Sequence, residues 1–121
     1  GVRRHDGADV GAVMDKVRFF RDYVEGKPDD RFARYSLALE LKKAGAVDEA
    51  EEQLVELLRR HPLSGAGHLQ LGQLREERDD LEGAAEAFRA GLEALADDRS
   101  AEGRKARSEL QTALDQVELY L

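Results

Sequence analysis

Cysteine, tryptophan, isoleucine and asparagine are missing from this 121-residue chain, and proline occurs only twice. Without cysteine, a disulfide framework and a Cys-based zinc site are both excluded. β-Branched residues are scarce, so strands have little to be made of. No apolar run approaches the ~20 residues of a membrane span, and no secretory signal is visible. A cytoplasmic protein with no membrane partner is the expectation. Basic residues are outnumbered as well. The net charge of -7 argues against nucleic acid as a partner, because phosphate binding needs a basic face. What the chain has in quantity is charge, 37% of its residues, set between regularly spaced apolar positions. That pattern belongs to helices, and the length suits one domain able to bury a core. Arginine in excess of lysine, with no isoleucine, suggests a GC-rich and bacterial genome.

Residues 1–9, GVRRHDGAD, show no apolar period. They are expected to be a leader or residues added for expression, with Met14 the natural start and a domain over 10–121. From Val10 onward, Val13, Val17, Phe20 and Val24 recur in steps of three and four, which marks one helix face ending at Gly26 and Pro28. Asp29 or Asp30 can cap a second helix over about 30–44, closed by Gly45. Val47, Ala50, Leu54, Leu57 and Leu58 make a third stripe. Acidic residues stand at its start and Arg59, Arg60 and His61 at its end, an order that suits the helix dipole. Ser64 can cap a fourth helix over about 65–78. Asp79 or Asp80 can cap a fifth, with Leu81, Ala84, Ala85, Phe88, Leu92 and Leu95 inward. A sixth follows Asp97 and Asp98, with Ala106, Leu110, Ala113, Leu114, Val117 and Leu121 on one side. Short linkers make neighbours antiparallel.

One constant shift superimposes the second and third stripes on the fourth and fifth. It carries Leu37 onto Leu71, Ala38 onto Gly72, Ala50 onto Ala84, Leu54 onto Phe88 and Leu58 onto Leu92. Moving back by the same step takes Pro62 to Pro28 and Leu54 to Phe20. The first helix is then the second half of an incomplete repeat. The spacing resembles the tetratricopeptide repeat, whose marks here are Leu37–Ala38, Ala50, Leu54 and Pro62, then Leu71–Gly72, Ala84 and Phe88. The resemblance implies an all-α solenoid of about six antiparallel helices: a half repeat at 10–26, repeats at 31–64 and 65–98, and a capping helix at 99–121. Departures are Arg34 and His68 in a slot usually aromatic, Leu41 and Arg75 in another, Ala96 for the terminal proline, and Gly91 for alanine. Gly72 costs its helix about 1 kcal/mol relative to alanine. Its place in the repeat explains it: Ala38 and Gly72 are expected to face Ala50 and Ala84 at close helix contacts, with Leu54 and Phe88 filling the space one turn on.

No catalytic constellation is legible. Ser64 and Ser108 lack a His–Asp arrangement, and His61 and His68 are separated by Pro62, so they cannot share a helix face as metal ligands would. SGAG at 64–67 lacks the Lys-Ser/Thr of a phosphate loop. The pairs Asp29–Asp30, Asp79–Asp80 and Asp97–Asp98 fall at helix starts, where capping accounts for them. No enzyme activity, cofactor or metal is expected. One feature exceeds packing needs: Phe32, Tyr35 and Leu39 make a second face on helix two, apart from Leu37, Ala38 and Leu41. By the resemblance, Phe32, Tyr35, Leu39, Lys42 and Lys43 look into a concave groove, with Ala66, Leu69, Gln73, Glu76 and Glu77 from repeat two and Arg107 from the cap. The alternative is that neighbouring helices cover Phe32 and Tyr35 as core. Positions matching the family's clamp for a chaperone's C-terminal carboxylate are Tyr35, Leu39, Gln70, Ser100 and Arg104; only the last agrees, so that ligand class is rejected. The leading expectation is a non-catalytic module that docks a protein or peptide partner. The alternative is a structural role through self-association at Phe19 and Tyr23 or at Leu119 and Tyr120, as a weak homodimer.

Overall fold

The computed structural model describes the backbone from Val2 to Leu121 and the side chains from Val10 onward. Six helices account for most of the described residues: α1 (Val2–Gly26), α2 (Arg31–Lys43), α3 (Val47–Arg60), α4 (Gly65–Glu77), α5 (Leu81–Ala94) and α6 (Ala101–Glu118). Among the described residues there is no strand. The chain divides into two compact units, residues 1–56 and 57–121.

In the first unit α1 packs on α2. Val17 and Val24 of α1 are buried, as are Ala33, Leu37, Ala38 and Leu41 of α2 and Ala50 and Leu54 of α3. α1 starts well ahead of Val10, at Val2, because nothing at Asp9–Val10 interrupts it and extending a formed helix costs little. The side chains of the expected leader, 1–9, lie outside the described residues. Val10 belongs to the expected apolar face but is 62% exposed. The reason is length: α1 has 25 residues and α2 only 13, so at ~1.5 Å per residue the start of α1 overhangs its neighbour. Asp30 caps α2 by accepting from the Ala33 amide at 2.9 Å. Gly45, at φ 81°, ends it. The Ala46 and Gly45 amides fold back onto the Leu41 and Lys42 carbonyls, a Schellman closure.

In the second unit α5 packs on α4 and on α6, and α6 also touches α4. Ala84, Ala85, Phe88, Leu95, Leu110, Leu114 and Val117 form its core. The glycine at position 72 has its reason here. A Cβ built on it would stand 2.6 Å from the Phe88 Cζ and closer still to the ring edge. The residue filling the glycine's space is thus Phe88 itself rather than Ala84, because the ring reaches back across the hairpin. Where the earlier hairpin has Ala38 with Leu54, this one has Gly72 with Phe88: the larger residue on the second helix goes with the smaller one on the first.

The departures at 34, 68 and 91 are compensated in a similar way. Arg34 is buried and donates to the Pro28 carbonyl at 2.9 Å and to Gln53 Oε1 at 2.7 Å. His68, at the same place in the next repeat, is buried with Nε2 2.8 Å from the Pro62 carbonyl. A carbonyl only accepts, so Nε2 carries the proton. Both side chains therefore tie a first helix to the turn before it, a task a phenyl ring, with no donor, could not do. Gly91 makes room for His68, whose Cβ would be 2.7 Å from an added methyl.

Ser64 caps α4 through the Gly67 amide, and Asp80 caps α5 through the Gly83 amide. The repeat would place the next cap at Asp98. The structure places it at Ser100, which accepts from the Gly103 amide at 3.0 Å. Asp98 instead accepts from the Ser100 amide and hydroxyl, at 2.9 and 2.6 Å. α6 thus starts two residues late. In that register Arg104, Arg107, Ser108 and Gln111 stand where α2 has Arg34, Leu37, Ala38 and Leu41. One face of α6 is polar, the other apolar, as a terminal helix requires.

Candidate functional site

On α2, packing and exposure divide along the two faces read from the sequence. Leu37, Ala38 and Leu41 are each 1% exposed. Phe32, just after the Asp30 cap, is 74% exposed. Tyr35 and Leu39 follow on the same face, both half-buried. Nothing in the unit encloses the Phe32 ring. An aromatic side chain so placed loses hydrophobic stabilisation that burial would supply, about 2–3 kcal/mol for a ring fully removed from water. In the next turn Lys42 is half-buried and Lys43 exposed. Lys43 lies 3.4 Å from Oε1 of Glu40, whose carboxylate is itself buried, with Oε2 lacking a hydrogen-bond partner. The two lysines also suit the carbonyl end of the helix.

The α4 residues are placed differently. Ala66, Glu76 and Glu77 are exposed and Gln73 is half-buried. Leu69 packs against the Phe88–Leu110 core. It is a structural residue first, with only part of its surface left to offer.

Arg107 does not present its charge as expected. Its Nη1 donates to the Leu95 carbonyl at 2.6 Å and to the Asp98 carbonyl at 2.5 Å, closing the end of α5. The cause is the two-residue slip at Ser100, which puts Arg107 at the place of Leu37 and leaves Glu102, Lys105 and Glu109 in line with Phe32, Tyr35 and Leu39. The sequence signal for this was Ser100 itself, a good cap three residues before Gly103.

The Asp98 carboxyl is held below its ordinary range. The Ser100 hydroxyl is the main cause, then the Ser100 amide and the nearby Arg107 charge. All three act on the turn before α6, not on a reacting group. Asp30 and Asp80 are occupied as caps. No group of His, Asp and Glu among the described residues could hold a metal ion. No helix among them is long and apolar enough to cross a membrane. A hollow of about 160 Å³ lined by Val10, Val13, Met14, Lys43 and Ala44 lies where α1 overhangs α2. It is well below the few hundred Å³ of a small-molecule pocket.

No family model and no curated protein matches the chain. Solved structures do. A tetratricopeptide repeat domain protein from Salinibacter ruber is 30% identical, over 74% of this chain and 97% of that one, with a TM-score of 0.65. The protein is therefore an all-α repeat protein of the helical-hairpin class. It belongs to the tetratricopeptide repeat family. PcrH, solved in complex with the chaperone binding region of PopD, has the same fold at a TM-score of 0.80 and 13% identity, over 96% of this chain and 86% of that one. SycD of Yersinia enterocolitica, a type III secretion chaperone solved with a peptide of the translocator YopD, superposes at 0.78 with 12% identity, over 96% and 87%.

Proposed function

We propose that this protein is a non-catalytic binding module that docks a protein or peptide segment on the outward first-helix face of its repeats, with α2 as the anchor. The carrying observation is Phe32, an aromatic ring 74% exposed at the head of a helix whose other face is fully packed. Tyr35 and Leu39 continue that face, and Lys42 and Lys43 close it with positive charge. An apolar segment laid on α2 covers the ring, and an acidic residue at its end meets the lysines. Support from the fold comes from PcrH and SycD, both solved with peptide partners. Gln73 and Glu76 hold the corresponding sequence positions in α4, while Leu69 serves mainly to hold its helix. Arg107 has no direct part.

The test is to select binders from a random peptide display library on the intact chain, then map one of them by amide chemical shifts. Perturbations concentrated on residues 32–43 are expected. Perturbations confined to other helices, with Phe32 and Tyr35 unmoved, would remove α2 from the binding surface.

A further inference from the structure

We propose that α1 also joins two copies of this chain, as a weak antiparallel dimer centred on Phe19 and Tyr23. α1, α3 and α5 end at Gly26, Arg60 and Ala94, each one repeat after the last. α3 and α5 each follow a turn and a first helix. α1 instead runs back to Val2 with no such turn. Its face for a first helix is therefore uncovered within the described residues. Tyr23 occupies the place of Leu57, yet Tyr23 is 40% exposed and Leu57 only 1%. Phe19 beside it is 61% exposed. The rings are already organised: Phe19 stands edge-on to Phe20 at 5.2 Å and tilted against Tyr23 at 6.3 Å. Lys27 sits over the Tyr23 ring at 5.6 Å.

Two observations select a second copy as the occupant. The opposite end of the chain does not fit this face. α6 would have to offer Arg104, Ser108 and Gln111, all exposed and polar, so head-to-tail stacking of copies leaves the aromatics against charge. The face does fit itself. In an antiparallel pair with its two-fold axis level with Phe20 and Arg21, Phe19 of each copy meets Tyr23 of the other. Along one edge Arg18 then lies opposite Asp22 of the other copy, twice by symmetry. Arg18 pairs within its own helix with Asp15, at 3.8 Å with both side chains about three-quarters exposed. One helix face is small against the roughly 800 Å² per partner of a standard interface. The pairing is accordingly weak and concentration-dependent.

Sedimentation equilibrium of the full chain tests this. A reversible monomer–dimer equilibrium is expected, shifted about tenfold or more toward monomer by Phe19→Ser with Tyr23→Ser. The circular-dichroism melt should stay cooperative with only a small drop, because Phe19 stands mostly in solvent and Tyr23 is only partly covered. Arg18→Glu and Asp22→Arg each place like charges opposite one another and should each weaken the dimer about tenfold. Mixing these two single variants should restore association as a heterodimer, because every edge pair then joins opposite charges; the loss of each homodimer on a single reversal is what marks the antiparallel register. A wild-type chain that stays monomeric at millimolar concentration overturns the proposal. So does a dimer insensitive to the aromatic pair, or one that single charge reversals leave intact.

Discussion

The α2–α3 and α4–α5 hairpins occupy matching stretches of sequence, and they differ in opposite ways on their inner and outer faces. Inside, two differences are each answered by another. Ala38 with Leu54 becomes Gly72 with Phe88, so a gain in size on one helix meets a loss on the other. Arg34 on the Pro28 carbonyl becomes His68 on the Pro62 carbonyl, with Gly91 clearing space for the ring. Outside, the differences are not answered. Phe32 becomes the exposed Ala66, and Tyr35 becomes Leu69, which packs against the core of its own unit. Close packing forces neighbouring core residues to change together; an outward face is under no such rule. An aromatic kept on that face of one hairpin and dropped from the other therefore points to a surface used by something outside the hairpin.

The inner compensation is the easiest part to break. Gly72→Val should cost about 3 kcal/mol or more, the upper end of overpacking, because a branched side chain would occupy the Phe88 ring position. A melting temperature unchanged by it would mean the contact does not exist. The sharper version is a cycle. Gly72→Ala alone should destabilise by about 1–3 kcal/mol. Combined with Phe88→Leu it recreates the Ala38–Leu54 pair, so the double variant should be more stable than the sum of the two single costs predicts. Strict additivity in urea unfolding would show that the two positions do not share space.

Leu69→Ala comes next, at about 2 kcal/mol, the low end for a leucine in a core. Phe32→Ala, its outer-face counterpart by type, should change stability by no more than about 0.5 kcal/mol, as for other surface substitutions. Equal costs at the two sites would erase the distinction drawn between the outer faces.

A smaller effect tests the turns. Gly45 and Asp79 hold the same place in successive repeats and both have positive φ, at 81° and 61°. Glycine accepts that conformation freely, whereas aspartate does so at a cost. Asp79→Gly should stabilise by about 0.5–1 kcal/mol. A loss of stability would show that the Asp79 carboxylate has a role in the turn that outweighs its backbone strain.

The smallest effect lies where the repeat slips. Asp98 is held below its ordinary value of 3.8 by the Ser100 hydroxyl and amide. Its folded form is thus the better acid, and it contributes stability above the unfolded value that is lost as pH falls through the lower folded value. Below about pH 4, wild type should lose melting temperature more steeply than Asp98→Asn. Parallel slopes would mean that the Ser100 contacts do not favour the charged carboxylate.

The repeat was legible because its marks are contacts between helices, and such contacts recur wherever the geometry recurs. Leu37, Ala38, Ala50, Leu54 and their partners one repeat on show this, and all but the glycine's true neighbour could be read in advance. The start of α6 was less legible. Asp98 and Ser100 are both good caps, and the choice between them depends on α6 docking against α5, which no local pattern encodes. That choice carried Arg107 with it, from an outward charge to a clamp on two carbonyls. The roles of Arg34 and His68 were hidden for a related reason. A polar residue in an aromatic slot reads as a defect until the proline carbonyl it reaches is seen. Phe32 and Tyr35 were visible as a second face on α2, and exposure separates them further: the first ring stands in solvent while the second is half-covered.

Binding on the outer face of α2 and stability on the inner faces are the two halves of the central claim. The most direct measurement pairs affinity with urea unfolding on Phe32→Ala and Leu69→Ala, using a peptide selected on the wild-type chain. Phe32→Ala is predicted to weaken binding by about thirty-fold, as an aromatic anchor worth about 2 kcal/mol would, with its unfolding midpoint unmoved. Leu69→Ala should lower the midpoint while the folded fraction keeps an affinity within a few-fold of wild type. Full-strength binding by Phe32→Ala, or an unfolding midpoint that falls with it, would contradict the account.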